Sequence, residues 1–214
     1  MVELNDVVLM SLRWIHFLAG IVWIGHLYFF NLVNGPFAKT LDGDTKKKVV
    51  PQLMPRALWW FRWGAMITLL SGLLYITWRY FVATDYGFKG TIQQGNDLVG
   101  AGLMNTVPGQ WISLGGTLGL IMWFNVWFII WPAQKRIIGW VRDGQNPPEM
   151  AALTKRAFTT SRLNTYLSVP MLFCMGGGSH FTVISLPVVL VVFAIGFALA
   201  YIFIKVSAKA GASN

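Results

Sequence analysis

Apolar stretches of about twenty residues recur five times along this chain, near 8–33, 59–82, 110–131, 163–182 and 184–205, and each is long enough to cross roughly 30 Å of hydrocarbon as an α-helix. Inside a bilayer the backbone of such a stretch must satisfy its own hydrogen bonds, which a helix does within a single segment. The chain therefore reads as an all-α protein, an integral membrane helical bundle of about five transmembrane helices. Its 214 residues are 55% hydrophobic and 12% charged, with mean hydropathy +0.56, well away from the balance of a soluble domain. The first stretch is expected to stay in the mature protein. The residues ahead of it include the acidic Glu3 and Asp6, and no small-residue cleavage site follows a short apolar core.

The net charge is +9, and its distribution explains it. All the lysines and arginines except Arg13, Arg79 and Lys89 fall in the 34–62 connection, the 133–162 connection or the tail at Lys205 and Lys209. That clustering is the positive-inside pattern, which places the N-terminus outside and the C-terminus in the cytoplasm. The basic character then serves orientation and contact with anionic lipid, and no nucleic-acid partner is expected. The single cysteine, Cys174, excludes an internal disulfide and a cysteine-rich metal site.

One domain spanning 1–214 is the economical organisation. Residues 84–109 are polar and glycine-rich, an external loop able to cap the outer face or dock a partner. Apolar and basic residues alternate over 133–160, the pattern of short interfacial helices broken at Pro147 and Pro148. Gly64, Thr68 and Gly72, Gly115 and Gly119, and Gly196 and Ala200 have the spacing of helix-packing faces. Most tryptophans lie near predicted span ends, as belt residues do. Asn31, Asn34, Asn125 and Asn164 read as interhelical hydrogen-bonding groups, and Arg62 as a residue snorkelling to the inner interface.

Ionisable groups inside hydrocarbon are costly and point to function. The chain has three histidines, His16, His26 and His180. With the expected topology, His16 lies about 7 Å outward of the midpoint of its span at the rise of an α-helix, His26 a similar distance inward, and His180 near the outer end of the fourth span. Two imidazoles on different helices at similar depth can hold a haem b between them, each offering a neutral nitrogen to the iron. Gly20 beside His16, and Gly176, Gly177 and Gly178 beside His180, would leave room for the macrocycle, while Arg13 is placed to pair with a propionate. The alternatives are that His16 bonds a neighbouring helix and that His180 is solvated or caps a helix end. His26 is separated from His16 by about 15 Å along the helix and about 80° around it, so the two cannot share one metal. It reads as an isolated polar contact.

The chain carries no CxxCH for covalent haem, no phosphate-binding glycine loop and no acidic residue inside a predicted span. A carboxylate proton relay and a Ser-His-Asp hydrolase are both disfavoured on that ground.

The segments RWIHFLAGIVWIGHLYFFNLVN (13–34), PRALWWFRWGAMITLLSGLLY (55–75), SLGGTLGLIMWFNVWFIIWPAQKRII (113–138) and NTYLSVPMLFCMGGGSHF (164–181) resemble successive motifs of the N-terminal membrane domain of bacterial membrane-bound urate oxidases (urate hydroxylases). The resemblance covers most of the chain and implies a multi-pass protein of the bacterial inner (cytoplasmic) membrane. In that family the membrane domain is joined to a C-terminal cytochrome c domain, and urate oxidation delivers electrons to the respiratory chain. Here no CxxCH follows, so the expected cytochrome c is a separate partner. The resemblance carries over His16 of RWIH and His180 as matching positions.

Three readings of function stand at this point. The first is a haem b electron-transfer subunit, with His16 and His180 as iron ligands and Arg13 on a propionate, working with a separate cytochrome c or respiratory complex. The second is a non-redox assembly subunit of a membrane oxidoreductase complex. The third is urate oxidation by the chain itself, linked to cytochrome c.

Overall fold

The computed structural model describes residues 3–210. Five long helices dominate it: α1 (Leu4–Thr40), α2 (Gly43–Val82), α3 (Val107–Arg142), α4 (Met150–Gly177) and α5 (Leu186–Lys209). Between α2 and α3 lies an antiparallel hairpin of β1 (Thr91–Gln94) and β2 (Asp97–Gly100), which pairs Thr91 with Gly100 and Gln94 with Asp97. Gly95, at φ +64°, makes the left-handed turn residue that joins the two strands.

Cross-helix contacts fix the directions. Asn5 accepts a hydrogen bond from the Trp78 indole at one end of the α1–α2 pair, and Asn34 donates to the Met54 sulfur at the other. In the α3–α4 pair, Gly178 faces Pro108 while Asn125 reaches Asn164. Neighbouring helices are thus antiparallel, and one end of the bundle collects the start of α1, the hairpin and the end of α4. We call this the hairpin end. The lysine- and arginine-rich connections make up the opposite, basic end.

Helix ends were the least legible feature. The 34–62 connection shrinks to Leu41 and Asp42, because Asp42 caps α2 by accepting from the backbone N–H groups of Asp44 and Thr45, both at 2.9 Å. The interfacial helices expected over 133–160 are not separate. Residues up to Arg142 continue α3, and those from Met150 onward begin α4, with the break around Pro147 and Pro148 as expected. The amphipathic pattern there belongs to the end of α3 and the start of α4.

Helices α1, α2, α3 and α5 are long and apolar enough to cross a membrane. The expected 163–182 span is the exception: α4 runs over 28 residues but falls short in apolarity. Its position explains why. It packs among α1, α3 and α5, burying Ser161, Asn164, Thr165 and Ser168. Asn31 donates to the Ser161 hydroxyl at 2.8 Å, Asn125 to Asn164 Oδ1 at 2.8 Å, and Asn164 to the Met122 carbonyl at 3.0 Å. A helix whose polar side faces protein does not need to be apolar all round. Asn31 and Asn125 both sit in stretches wound as π-helix, Phe29–Asn34 and Asn125–Ile130. Ser207 of α5 donates to the Leu32 carbonyl within the first of these.

The core lies at mid-depth, where Trp23, Leu27, Phe61, Met122 and Val126 are buried together. Glycines let the backbones approach there: a side chain at Gly64 would lie 3.0 Å from the backbone nitrogen of Trp23, and one at Gly196 would lie 2.9 Å from the Pro170 ring.

Candidate functional site

The half-buried imidazole of His16 is held between α1 and α2. Its Nδ1 lies 2.9 Å from the Thr68 carbonyl oxygen, which can only accept, so Nδ1 carries the proton and Nε2 keeps its lone pair. The Ser71 hydroxyl stands 3.3 Å from the same nitrogen. Gly72 makes the seat, since a Cβ there would lie 3.0 Å from His16 Cε1. A ring oriented by a backbone carbonyl through one nitrogen, with the other left free, is the arrangement common to metal-ligating histidines.

One turn toward the hairpin end, Arg13 donates to the Tyr75 hydroxyl and stacks over the Tyr75 ring at 5.3 Å. Arg79 donates to the same hydroxyl at 3.2 Å. The buried Tyr75 thus gathers two guanidinium groups beside His16, a concentration of positive charge with no carboxylate bonded to it among the described residues. The sequence singled out Arg13 but not Tyr75 or Arg79. Only the antiparallel register of α1 and α2 brings the three together.

His180 lies just past the end of α4, at the hairpin end and exposed. Its backbone N–H bonds the Gly177 carbonyl at 3.1 Å, and the neighbouring Phe181 packs with Phe173 at 5.5 Å and with Trp111 at 5.8 Å. His16 lies twelve residues into α1, inside the α1–α2 pair, whereas His180 lies beyond the end of α4, and among the described residues no hydrogen bond joins them. The three glycines before His180 do not all leave space. The Trp111 ring would lie 3.1 Å from a Cβ at Gly177, and Pro108 fills the position beside Gly178, so these two serve α3–α4 packing. Gly176 is open, and Gly20 has only the Thr68 methyl, at 4.0 Å.

His26 is remote from this group. Its Nδ1 donates to the Val22 carbonyl of its own helix at 2.7 Å. Arg62 stacks 3.9 Å from the Trp131 ring centre and 5.3 Å from that of Trp127, a cation–π contact of about 0.5–2 kcal/mol. The buried Cys174 packs against Gly115.

The hairpin half of the bundle thus holds a preoriented imidazole, a second, exposed imidazole past the end of α4 and a guanidinium pair on Tyr75.

The family described as urate oxidase N-terminal matches residues 101–211 of the chain. The matched residues include His180 and leave out Arg13 and His16. The chain matches no curated protein and no solved structure.

Proposed function

Since the chain belongs to the urate oxidase N-terminal family, we propose that it is the membrane electron-transfer subunit of a urate-oxidising system in the bacterial inner membrane, holding haem b between His16 and His180 and working with a separate cytochrome c. The observation that carries this reading is His16 itself. Its Nδ1–H is spent on the Thr68 carbonyl and its Nε2 is free, in a helix that needs no histidine to insert.

Each residue has a role in this reading. Thr68 and Gly72 hold the His16 ring in one tautomer and orientation. Arg13, braced by Tyr75, binds a propionate and offsets its charge. His180, just past the end of α4, would provide the second nitrogen to the iron. The rings of Trp111, Phe173 and Phe181 pack together beside His180. By the positive-inside distribution the hairpin end faces outward, which sets the site within reach of an external cytochrome c.

A visible spectrum of the purified chain tests this directly. A Soret band that shifts with dithionite and disappears in both His16→Ala and His180→Ala is the expected result. A folded, colourless protein purified from haem-replete cells overturns it.

A second reading, a non-redox assembly subunit, draws on the 84–109 loop, whose Leu98 is 73% and Phe88 60% exposed. Stoichiometric haem that is lost on replacing His16 counts against it.

A further inference from the structure

His26 and Arg56 line one open groove of about 510 Å³ on the basic-end half of the α1–α2 face. We infer that this groove binds the head of a membrane quinol.

The two polar groups are complementary in kind. His26 spends its Nδ1–H on the Val22 carbonyl, so the neutral ring presents Nε2 as an acceptor, and no hydrogen bond among the described residues reaches it. Arg56 spends one N–H on the Gln52 carbonyl at 2.6 Å and keeps the rest of its donor fork. No acidic residue lines the groove. The walls are apolar, with Phe29 and Trp60 offering aromatic faces and Val22 and Leu53 aliphatic ones. The floor is open as well, since a Cβ at Gly25 would meet no atom within 4 Å.

An acceptor and a donor on apolar walls select among the amphiphiles of a bilayer. A phospholipid phosphate has only acceptor oxygens, so it would satisfy Arg56 and leave His26 Nε2 facing another acceptor. A quinol donates its O–H to Nε2 while its other oxygen accepts from Arg56. Its flat ring lies against Trp60 and Phe29, and its isoprenoid tail continues into lipid. A quinone, with acceptor oxygens only, would leave Nε2 unmatched as the phosphate does, so the site selects the reduced form. This site stands on its own residues and does not depend on haem at the hairpin end.

The test uses the full chain in phosphatidylcholine nanodiscs and an azido-benzoquinol carrying one isoprenoid unit, kept in its reduced form. Saturable photolabelling of residues 21–29 or 53–60, competed by unlabelled quinol and not by anionic phospholipid, is expected. Replacing His26→Ala or Arg56→Gln weakens it about tenfold, the cost of leaving one polar partner unpaired. Gly25→Leu fills an open volume without a clash and abolishes labelling while the melting temperature is kept. Labelling that survives Gly25→Leu, that yields to anionic phospholipid, or that never saturates overturns the proposal.

Discussion

His16 Nδ1 and the Thr68 carbonyl meet at 2.9 Å across the α1–α2 interface, with the ring resting on Gly72. The seat is steric as well as polar, because a Cβ on Gly72 would stand 3.0 Å from the imidazole. Either the ring or the helix must then shift.

Gly72→Ala is therefore expected to displace His16 and lower haem occupancy, read as the ratio of Soret to protein absorbance. Gly25→Ala, which adds its methyl to open space, leaves that ratio unchanged. Equal ratios in the two variants would remove Gly72 from the site.

The asparagine contacts are expected to hold α4 in place. Asn164→Leu breaks bonds to both Asn125 and the Met122 carbonyl, and each such bond between membrane helices is worth about 0.6–2 kcal/mol. Thermal unfolding in detergent should show a drop for Asn164→Leu. The double variant with Asn125→Leu should lose less than the sum of the two single ones, because the bond they share is removed once.

Gly115 and Gly116 are adjacent, yet only one is confined. A Cβ at Gly115 would lie 2.9 Å from that of Cys174, whereas one at Gly116 meets nothing within 4 Å. Gly115→Val is expected to cost about 1–3 kcal/mol by overpacking and Gly116→Val close to nothing. Melting temperatures of the two purified variants decide this.

Asp42 lies between α1 and α2, outside the spanning segments. The Thr45 hydroxyl and the backbone N–H groups of Thr45 and Asp44 hold its carboxyl below the usual carboxylate range. A depressed folded value stabilises above the unfolded value and is lost as pH falls through the folded one. Protease cleavage at Leu41–Asp42 should therefore rise in acid. Asp42→Asn keeps the cap without the titration and should flatten that dependence.

Orientation is open to a labelling test. With Cys174 buried, a Lys89→Cys variant should react with an impermeant maleimide in intact cells, and Lys47→Cys only after permeabilisation. The reverse pattern inverts the topology and moves the histidine site to the cytoplasmic face.

The helical class was readable from the length of the apolar runs, and so were the small-residue faces, since both are properties of contiguous sequence. The fourth span was harder. Its serines, threonine and asparagine look unsuited to lipid until α1 and α3 are seen to cover them. The continuity of α3 through Arg142 was hidden because amphipathic helix reads the same whether it lies on a membrane or extends a span beyond it. The glycines before His180 looked like space, and two of them prove to be contact surfaces for Trp111 and Pro108.

Sequence alone determined that the chain is a membrane bundle with a basic end, because hydrophobic length and charge clustering act along the chain. It also marked His16, Arg13 and His180 as unusual. The register of α1 on α2 is a tertiary property, set by Gly64 and Gly72 admitting Trp23 and His16. That register is what assigns His16 a proton on Nδ1, gives Arg13 and Arg79 one tyrosine to share, and sets His26 and Arg56 on one groove. Such groupings arise from backbone approach between distant segments, which no local pattern of residues encodes.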